Sequence, residues 1–208
     1  MTALGCRRRG RAGSPPWADL QQVRTDPNAG VDDILPATGE RLRLLIVGVN
    51  PGLWTAAVNA PFAHPGNRFW PSLFRAGLTG YECDVSAGMR DQDLHELLSR
   101  GIGLTNLVAR ATARADELST AELREAGGRL VSRVDEYRPQ CVAIAGITAF
   151  RTAFRQPKAT LGEQDGGRIP GWPAHTRLWV VPQPSGLNAH ETIDSLAQKW
   201  RAVWESLD

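Results

Sequence analysis

Apolar residues along this chain fall into short runs separated by longer amphipathic stretches, a pattern that predicts strands leading into helices. The clearest run ends a first strand expected over about Arg41 to Val49, and Asn50-Pro51-Gly52 breaks it with turn residues. Such an unalternating run suits a strand buried on both faces of a parallel sheet. A helix is expected from roughly Arg68 to Ala76, with Asn67 as N-cap and Pro71 in the first turn, where a missing amide donor costs little. Asp91 to Arg100 predicts another short helix with Leu94, Leu97 and Leu98 on one face. Gly103 to Val108 reads as a second strand that carries Thr105-Asn106 into its carboxyl-end loop. A long helix follows over Thr120 to Tyr137, opened by a Ser119/Glu122 capping box and stopped by Pro139. Then come a third strand at Cys141 to Ala145, a short helix at Thr148 to Phe154 and a Gly-rich loop at Pro157 to Pro173. Arg177 to Val181 is a fourth strand, and Glu191 to Leu207 is the last helix, with Asn188 as its cap. The alternation implies a three-layer α/β/α fold around a central, mainly parallel four-stranded sheet.

Residues 1–30 are rich in Pro, Gly and Arg and read as a flexible arm, so a single globular domain is expected over 31–208. The net charge is +2, yet Arg7, Arg8, Arg9 and Arg11 alone carry +4, which leaves the rest of the chain at −2. A nucleic-acid partner would therefore need a local basic face or the arm, because the body is not basic. The arm also reads simply as a solvated tail. No apolar run approaches the roughly 20 residues that span a bilayer, and the first residues lack a signal-peptide core, so a cytoplasmic protein without membrane contact is expected. Cys6, Cys83 and Cys141 lie far apart, and His64, His95, His175 and His190 lack ligand spacing. Neither a disulfide framework nor a metal site is expected.

Open α/β sheets place ligand sites at the carboxyl ends of their strands. Asn50 is a carboxamide at that place, and Trp54, Phe62, Phe69 and Trp70 follow with flat apolar surface for a planar ring. The same residues also fit an ordinary strand-to-helix turn beside core aromatics. After the fourth strand, Pro182 to Asn188 form a second loop that carries Leu187 just before an expected helix start. Leu187 either staples onto that helix or stands out as an apolar wedge of the kind pushed between base steps.

Three motifs, GVNPG at Gly48 to Gly52, PFAHPGNRFW at Pro61 to Trp70 and PSGL at Pro184 to Leu187, resemble in order and spacing the mismatch-specific uracil/thymine DNA glycosylases of the uracil-DNA glycosylase superfamily. The likeness extends from about Val31 to the carboxyl end, including GLTNLV and the Gly127-Gly128-Arg129-Leu130 stretch, and implies a uracil-DNA glycosylase-like fold. It implies a hydrolase of base excision repair that flips a base from DNA and cuts its N-glycosidic bond, with no cofactor. Asn50 matches the catalytic asparagine that positions water, within the run Gly48, Val49, Asn50, Pro51 and Gly52. Phe62 matches the ring that stacks on the flipped base, Asn106 a residue at the pyrimidine edge, and Thr55 a residue near C5, while Val49 lies among the base-binding positions. The Asn106 match implies uracil excision beyond G:U pairs. Leu187 matches the intercalating wedge, with Ser185, Gly186 and Asn188 on the loop facing the orphaned base.

Several positions depart from the family pattern. Gln183 fills a slot that is asparagine or histidine in relatives, Ala189 stands where a bacterial relative has arginine, and Trp54 stands where a small residue is usual. The expected partner is double-stranded DNA with a mispaired or damaged base, and single-stranded DNA is left open, as are etheno and deaminated bases and weak action on thymine. The enzyme is expected to be a nucleoid-associated monomer. Strand cleavage through a Schiff base needs a site lysine. The two lysines, Lys158 and Lys199, lie outside the motif loops, so a monofunctional enzyme leaving an abasic site is expected. Two rivals are a non-catalytic lesion-binding protein and a flavodoxin-like nucleotide-binding enzyme, although neither GxGxxG nor GxxxxGK occurs.

Overall fold

The computed structural model describes residues 17–207, and Cys6 and the four arginines of the arm lie outside the described residues. Strand β1 (Leu44–Gly48) pairs in parallel with β2 (Ile102–Asn106) on one side and β3 (Cys141–Ala145) on the other, and β5 (Arg177–Val181) adds in parallel to β3. A fifth strand, β4 (Gly162–Gln164), pairs antiparallel with β5 at the edge, giving the order β2-β1-β3-β5-β4. The sheet is thus five-stranded rather than four-stranded. β4 escapes the hydropathy pattern because Gly-Glu-Gln has no apolar position and lies on the solvated edge.

The period of two along β1 explains the layers. Leu44 and Ile46 enter one core with Leu104, Phe69, Leu73, Leu97, Leu196 and Trp200, whereas Leu45 and Val47 enter another with Leu130, Val134, Ile144 and Phe150. Each face is covered by helices, so every residue of the strand is buried. α2 (Leu53–Val58), α3 (Phe69–Ala76), α4 (Asp91–Ser99) and α7 (Ile193–Glu205) supply the first layer, and α5 (Thr120–Tyr137) and α6 (Ile147–Ala153) the second. Fully burying a side chain such as Phe69 or Phe150 contributes about 1.5–3 kcal/mol. Among the described residues no helix is long and apolar enough to cross a membrane.

Local signals decide most boundaries. α5 begins where Ser119 Oγ accepts from the Glu122 amide and the Glu122 carboxylate accepts from the Ser119 amide, as its capping box predicts. Asn67 Oδ1 accepts from the Phe69 amide at 3.0 Å, so this residue caps α3 from one position further out than a formal N-cap. The last helix differs from expectation: α7 starts at Ile193, capped by Thr192 with Ser195, and not by Asn188 with Glu191. Thr192 offers the same chemistry four residues later, and Asn188 is used inside the preceding loop. Residues counted in the arm also hold order, because Trp17–Thr25 forms the helix α1. Burial pushes the Cys83 and Cys141 thiols up to about 12, so both stay protonated at neutral pH.

The Gly127-Gly128 pair of α5 splits into two different roles. A Cβ at Gly127 would stand 2.8 Å from the Ala153 carbonyl oxygen at the end of α6, whereas one at Gly128 would meet nothing within 4 Å. Gly127 therefore sets the approach of two helices, and Gly128 only weakens its own. Gly128→Ala should stabilise the protein by about 1 kcal/mol through helix propensity, and Gly127→Ala should destabilise it by about 1–3 kcal/mol through overpacking. Urea midpoints that move in the same direction for both variants would contradict this.

Candidate active site

The sheet order reverses at β1 and β3, since the chain leaves β1 toward β2 on one side and later crosses to β3 on the other. Asn50 stands just past the carboxyl end of β1 at this switch point and is half-buried. Its Nδ2 donates to Thr112 Oγ1 at 2.7 Å, the Pro51 carbonyl at 3.2 Å and the Arg110 carbonyl at 3.3 Å. Three acceptors around one nitrogen fix which end of the amide is which. No donor among the described residues reaches Oδ1, so the carboxamide presents a free acceptor of fixed direction.

Thr112 holds this arrangement and was not singled out by any sequence pattern. It is buried, its hydroxyl donates to the Arg114 carbonyl at 2.8 Å, and its amide donates to the Pro51 carbonyl at 3.1 Å. Because that hydroxyl proton is spent on Arg114, the oxygen is left to accept from Asn50. Arg110, also missed, bonds Glu122 at 2.6 Å and so ties the loop to the start of α5. The Arg110 guanidinium and the Ser119 amide and hydroxyl hold the Glu122 carboxyl down to about 2. A lowered carboxyl stabilises the fold fully above its ordinary range, and that contribution is lost progressively as pH falls from there toward about 2, although the carboxylate itself stays ionised through mild acid.

Gly48 brings the remaining pocket residues together. A Cβ there would lie 2.3 Å from Asn106 Oδ1 and 3.2 Å from Phe62 Cζ, so both side chains close over the strand where it has none. Gly48 and Asn106 are register partners at the ends of β1 and β2. Asn106 is half-buried, and its amide makes no hydrogen bond among the described residues. Its neighbour Thr105 points the other way, as strand alternation requires, and bonds Asp33 and Arg133. Phe62 stacks on Phe69 at 3.9 Å between ring centroids. Its backbone sits at φ 56, a left-handed conformation that costs a bulky residue about 1–3 kcal/mol.

Not every expected residue faces the site. Phe69 and Trp70 are 0% and 4% exposed and belong to the core, so they support Phe62 rather than offering flat surface themselves. Trp54 is half-buried, packs edge-on to His64 and donates from Nε1 to the Ser86 carbonyl at 3.0 Å. The Val49 side chain is buried in the second core, which leaves only its backbone for the base-binding position. Thr55 is buried on α2, and its hydroxyl bonds to no described residue. Pro51 contributes its carbonyl. Gly52 is exposed at an ordinary φ of −77, so nothing in the turn itself demands glycine there. A cavity of about 300 Å³ lies between Arg24, Pro27, Leu53 and Thr112, and none of Asn50, Phe62 and Asn106 borders it.

The second loop stands against the segment that carries Phe62. Leu187 is 96% exposed, which excludes the staple onto α7. Ser185 Oγ accepts from the Leu187 amide and Asn188 Nδ2 donates to the Gln183 carbonyl, so short local bonds shape the loop. The Gln183 side chain is exposed. A Cβ at Gly186 would lie 2.4 Å from the Gly66 carbonyl oxygen, so the loop sits directly on the PFAHPGNRFW segment.

These features define an α/β protein with a half-buried, oriented asparagine at the carboxyl edge of a parallel sheet and an exposed leucine on a loop packed against the PFAHPGNRFW segment. Residues 36–208 match the family model of the uracil DNA glycosylase superfamily, and the chain belongs to that superfamily. Its members are DNA glycosylases. The fold is also similar to the solution NMR structure of a "putative Uracil DNA glycosylase" from Methanosarcina acetivorans, with a TM-score of 0.54 and 17% identity over 86% of this chain and 98% of that one.

The dependence of Asn106 on Gly48 can be checked directly. Gly48→Ala should displace the Asn106 carboxamide and destabilise the fold by about 1–3 kcal/mol. Unchanged side-chain amide resonances for Asn106 in the variant would show that its position does not rest on that glycine.

Proposed function

We propose that this protein is a monofunctional DNA glycosylase of the mismatch-specific kind, which extrudes uracil from mispaired duplex and hydrolyses its N-glycosidic bond to leave an abasic site. The observation that carries this reading is the Asn50 carboxamide, with three protein acceptors on Nδ2 and no donor among the described residues on Oδ1. In that state Oδ1 accepts one proton of a water and aims the water oxygen at the sugar carbon. An amide is not a base, so it orients water without deprotonating it. The C–N bond electrons pass to the departing uracil, a new C–O bond forms at the sugar, and the surplus water proton is lost to solvent. Charge on the leaving base must then be stabilised by donors around the pocket, which is where most of the rate resides.

The surrounding residues take roles that fit their chemistry. Phe62 stacks on the extruded ring, and the Asn106 carboxamide, with no partner among the described residues, hydrogen-bonds the pyrimidine edge. Thr55 crowds C5, so a thymine methyl fits badly. Leu187 fills the gap left in the base stack, where unstacking costs a few kcal/mol and is least for a mispaired base. The protein acts on DNA as a monomer in the cytoplasm, associated with the nucleoid.

Duplexes carrying uracil, thymine, ethenocytosine, hypoxanthine or xanthine, incubated with the protein and then cleaved with alkali, test this reading. Uracil release by the wild type should be abolished in Asn50→Ala and reduced in Thr112→Val by about tenfold, the loss of one hydrogen bond of about 1.4 kcal/mol. Binding of mismatched duplex with no base release, or release that survives Asn50→Ala, would overturn it. In the same assay G:U should be processed about 10 to 200-fold faster than G:T, the range a misfitting methyl commands. Equal rates would remove Thr55 from the specificity argument.

A further inference from the structure

Arg68 belongs to the PFAHPGNRFW motif, yet it faces neither Asn50 nor the aromatic stack. Its half-buried guanidinium reaches across to the leucine loop. Nη1 donates to the Asn188 and Glu191 carbonyls at 2.8 Å each and reaches the Ser185 carbonyl at 3.5 Å, while Nη2 donates to the Gly186 carbonyl at 3.3 Å. Its own amide donates to the Pro184 carbonyl at 2.9 Å. Among the described residues it forms no ion pair, so a full positive charge is committed to neutral carbonyls of one loop.

We propose that Arg68 is a positioning residue that clamps the leucine loop to the segment carrying Phe62, so that extrusion of a base and its capture act as one rigid unit. The inference rests on the glycosylase reading above. The loop's own bonds shape its turn but do not attach it to the body, since they run from Leu187, Asn188 and His190 to Ser185, Gln183 and Asn188. Attachment of the tip comes from the guanidinium fork, from the Arg68 amide and from the contact of Gly186 with the Gly66 carbonyl, while at the loop's far end the Glu191 carboxylate accepts from Ser195 Oγ and Lys199 Nζ of α7. The next residue, Phe69, stacks beneath Phe62. A displaced stack pushes back on the side chain that replaces a base, and a loop free to recoil would let the base return. Charge-assisted bonds from a planar fork resist that push, and a lysine, with a single compact ammonium, cannot span the same carbonyls.

Single-turnover excision of uracil from a G:U duplex and from a single strand separates this role from a general structural one, because a wedge matters only where a stack must be opened. Arg68→Lys should lower the duplex-to-single-strand rate ratio by about tenfold or more, as should Leu187→Ala. Hydrogen exchange of the free protein should quicken over residues 185–191 in Arg68→Lys and stay as in the wild type along β1. If Arg68→Lys does not fold, Gly186→Ala replaces it, since that variant lifts the same loop from Gly66 with the arginine intact. The clamp is overturned if Leu187→Ala lowers the ratio and Arg68→Lys does not, if both substrates slow in step, or if exchange over 185–191 is unaltered. A ratio unchanged by Leu187→Ala instead overturns the wedge assigned to that loop, and absence of any excision by the wild type overturns the glycosylase reading.

Discussion

The organisation of the site depends on how one amide nitrogen is held. Asn50 Nδ2 meets the Thr112 hydroxyl and two carbonyls, and that triple contact decides which atom of the carboxamide is left for a ligand. An unconstrained asparagine presents oxygen or nitrogen with little preference, and a site that needs an acceptor would be served only part of the time. Here the choice is made by the fold. The loop after β2 delivers Arg110 and Thr112, the Arg110–Glu122 pair fastens that loop to α5, and the parallel pairing of β1 with β2 places loop and asparagine side by side. The chemistry at one residue therefore draws on three elements distant in sequence.

A second constraint is the missing side chain at Gly48. Strand ends in a parallel sheet are crowded by the loops that follow them, and a pocket forms only where some residue yields space. Gly48 yields it, and Phe62 and Asn106 both reach the space a side chain would take there. The strained backbone of Phe62 belongs to the same design, because the left-handed turn aims its ring across the strand end and the stack on buried Phe69 holds it there. Phe69 in turn lies edge-on to Trp70 and Trp200, so the whole first core backs one half-exposed ring.

Much of this was legible in the sequence, and the failures have physical causes. Apolar runs and caps locate β3, β5 and α5 to the residue and β1 and β2 to within three residues at each end, since burial on both faces and a Ser-x-x-Glu box are local signals. β4 was missed because an edge strand of three polar residues leaves no hydropathy trace. The cap of α7 lies four residues later than expected because two capping residues stand close together, and Asn188 spends its side chain on the Gln183 carbonyl within the loop while Thr192 caps the helix. Of the motif residues, Phe62 and Asn106 meet over Gly48, but Phe69 and Trp70, expected as flat surface, are core, a distinction that aromatic identity alone does not carry. Thr112 was invisible because its role depends on the register of β1 with β2, not on any neighbour in sequence. Arg68 was in plain view inside a motif, yet its partners lie more than a hundred residues away.

On the proposed reading, these features also explain why such a site would discriminate more than it accelerates. Asparagine, unlike a carboxylate, takes no proton and lends no negative charge to a developing sugar cation, so water attack is oriented but weakly driven. Excision then leans on how well the departing base carries charge and on how long it stays in the pocket. The first favours uracil and other bases that leave as stabilised anions. The second favours bases that are poorly paired to begin with, because each kcal/mol spent on unstacking is taken from residence in the pocket. A rigid leucine loop and a pre-aimed phenylalanine lengthen that residence without adding chemical power. A weak catalyst with a well-built extrusion device is therefore selective by construction: it acts where the duplex is already compromised and spares sound base pairs, which return to the stack before the slow step occurs.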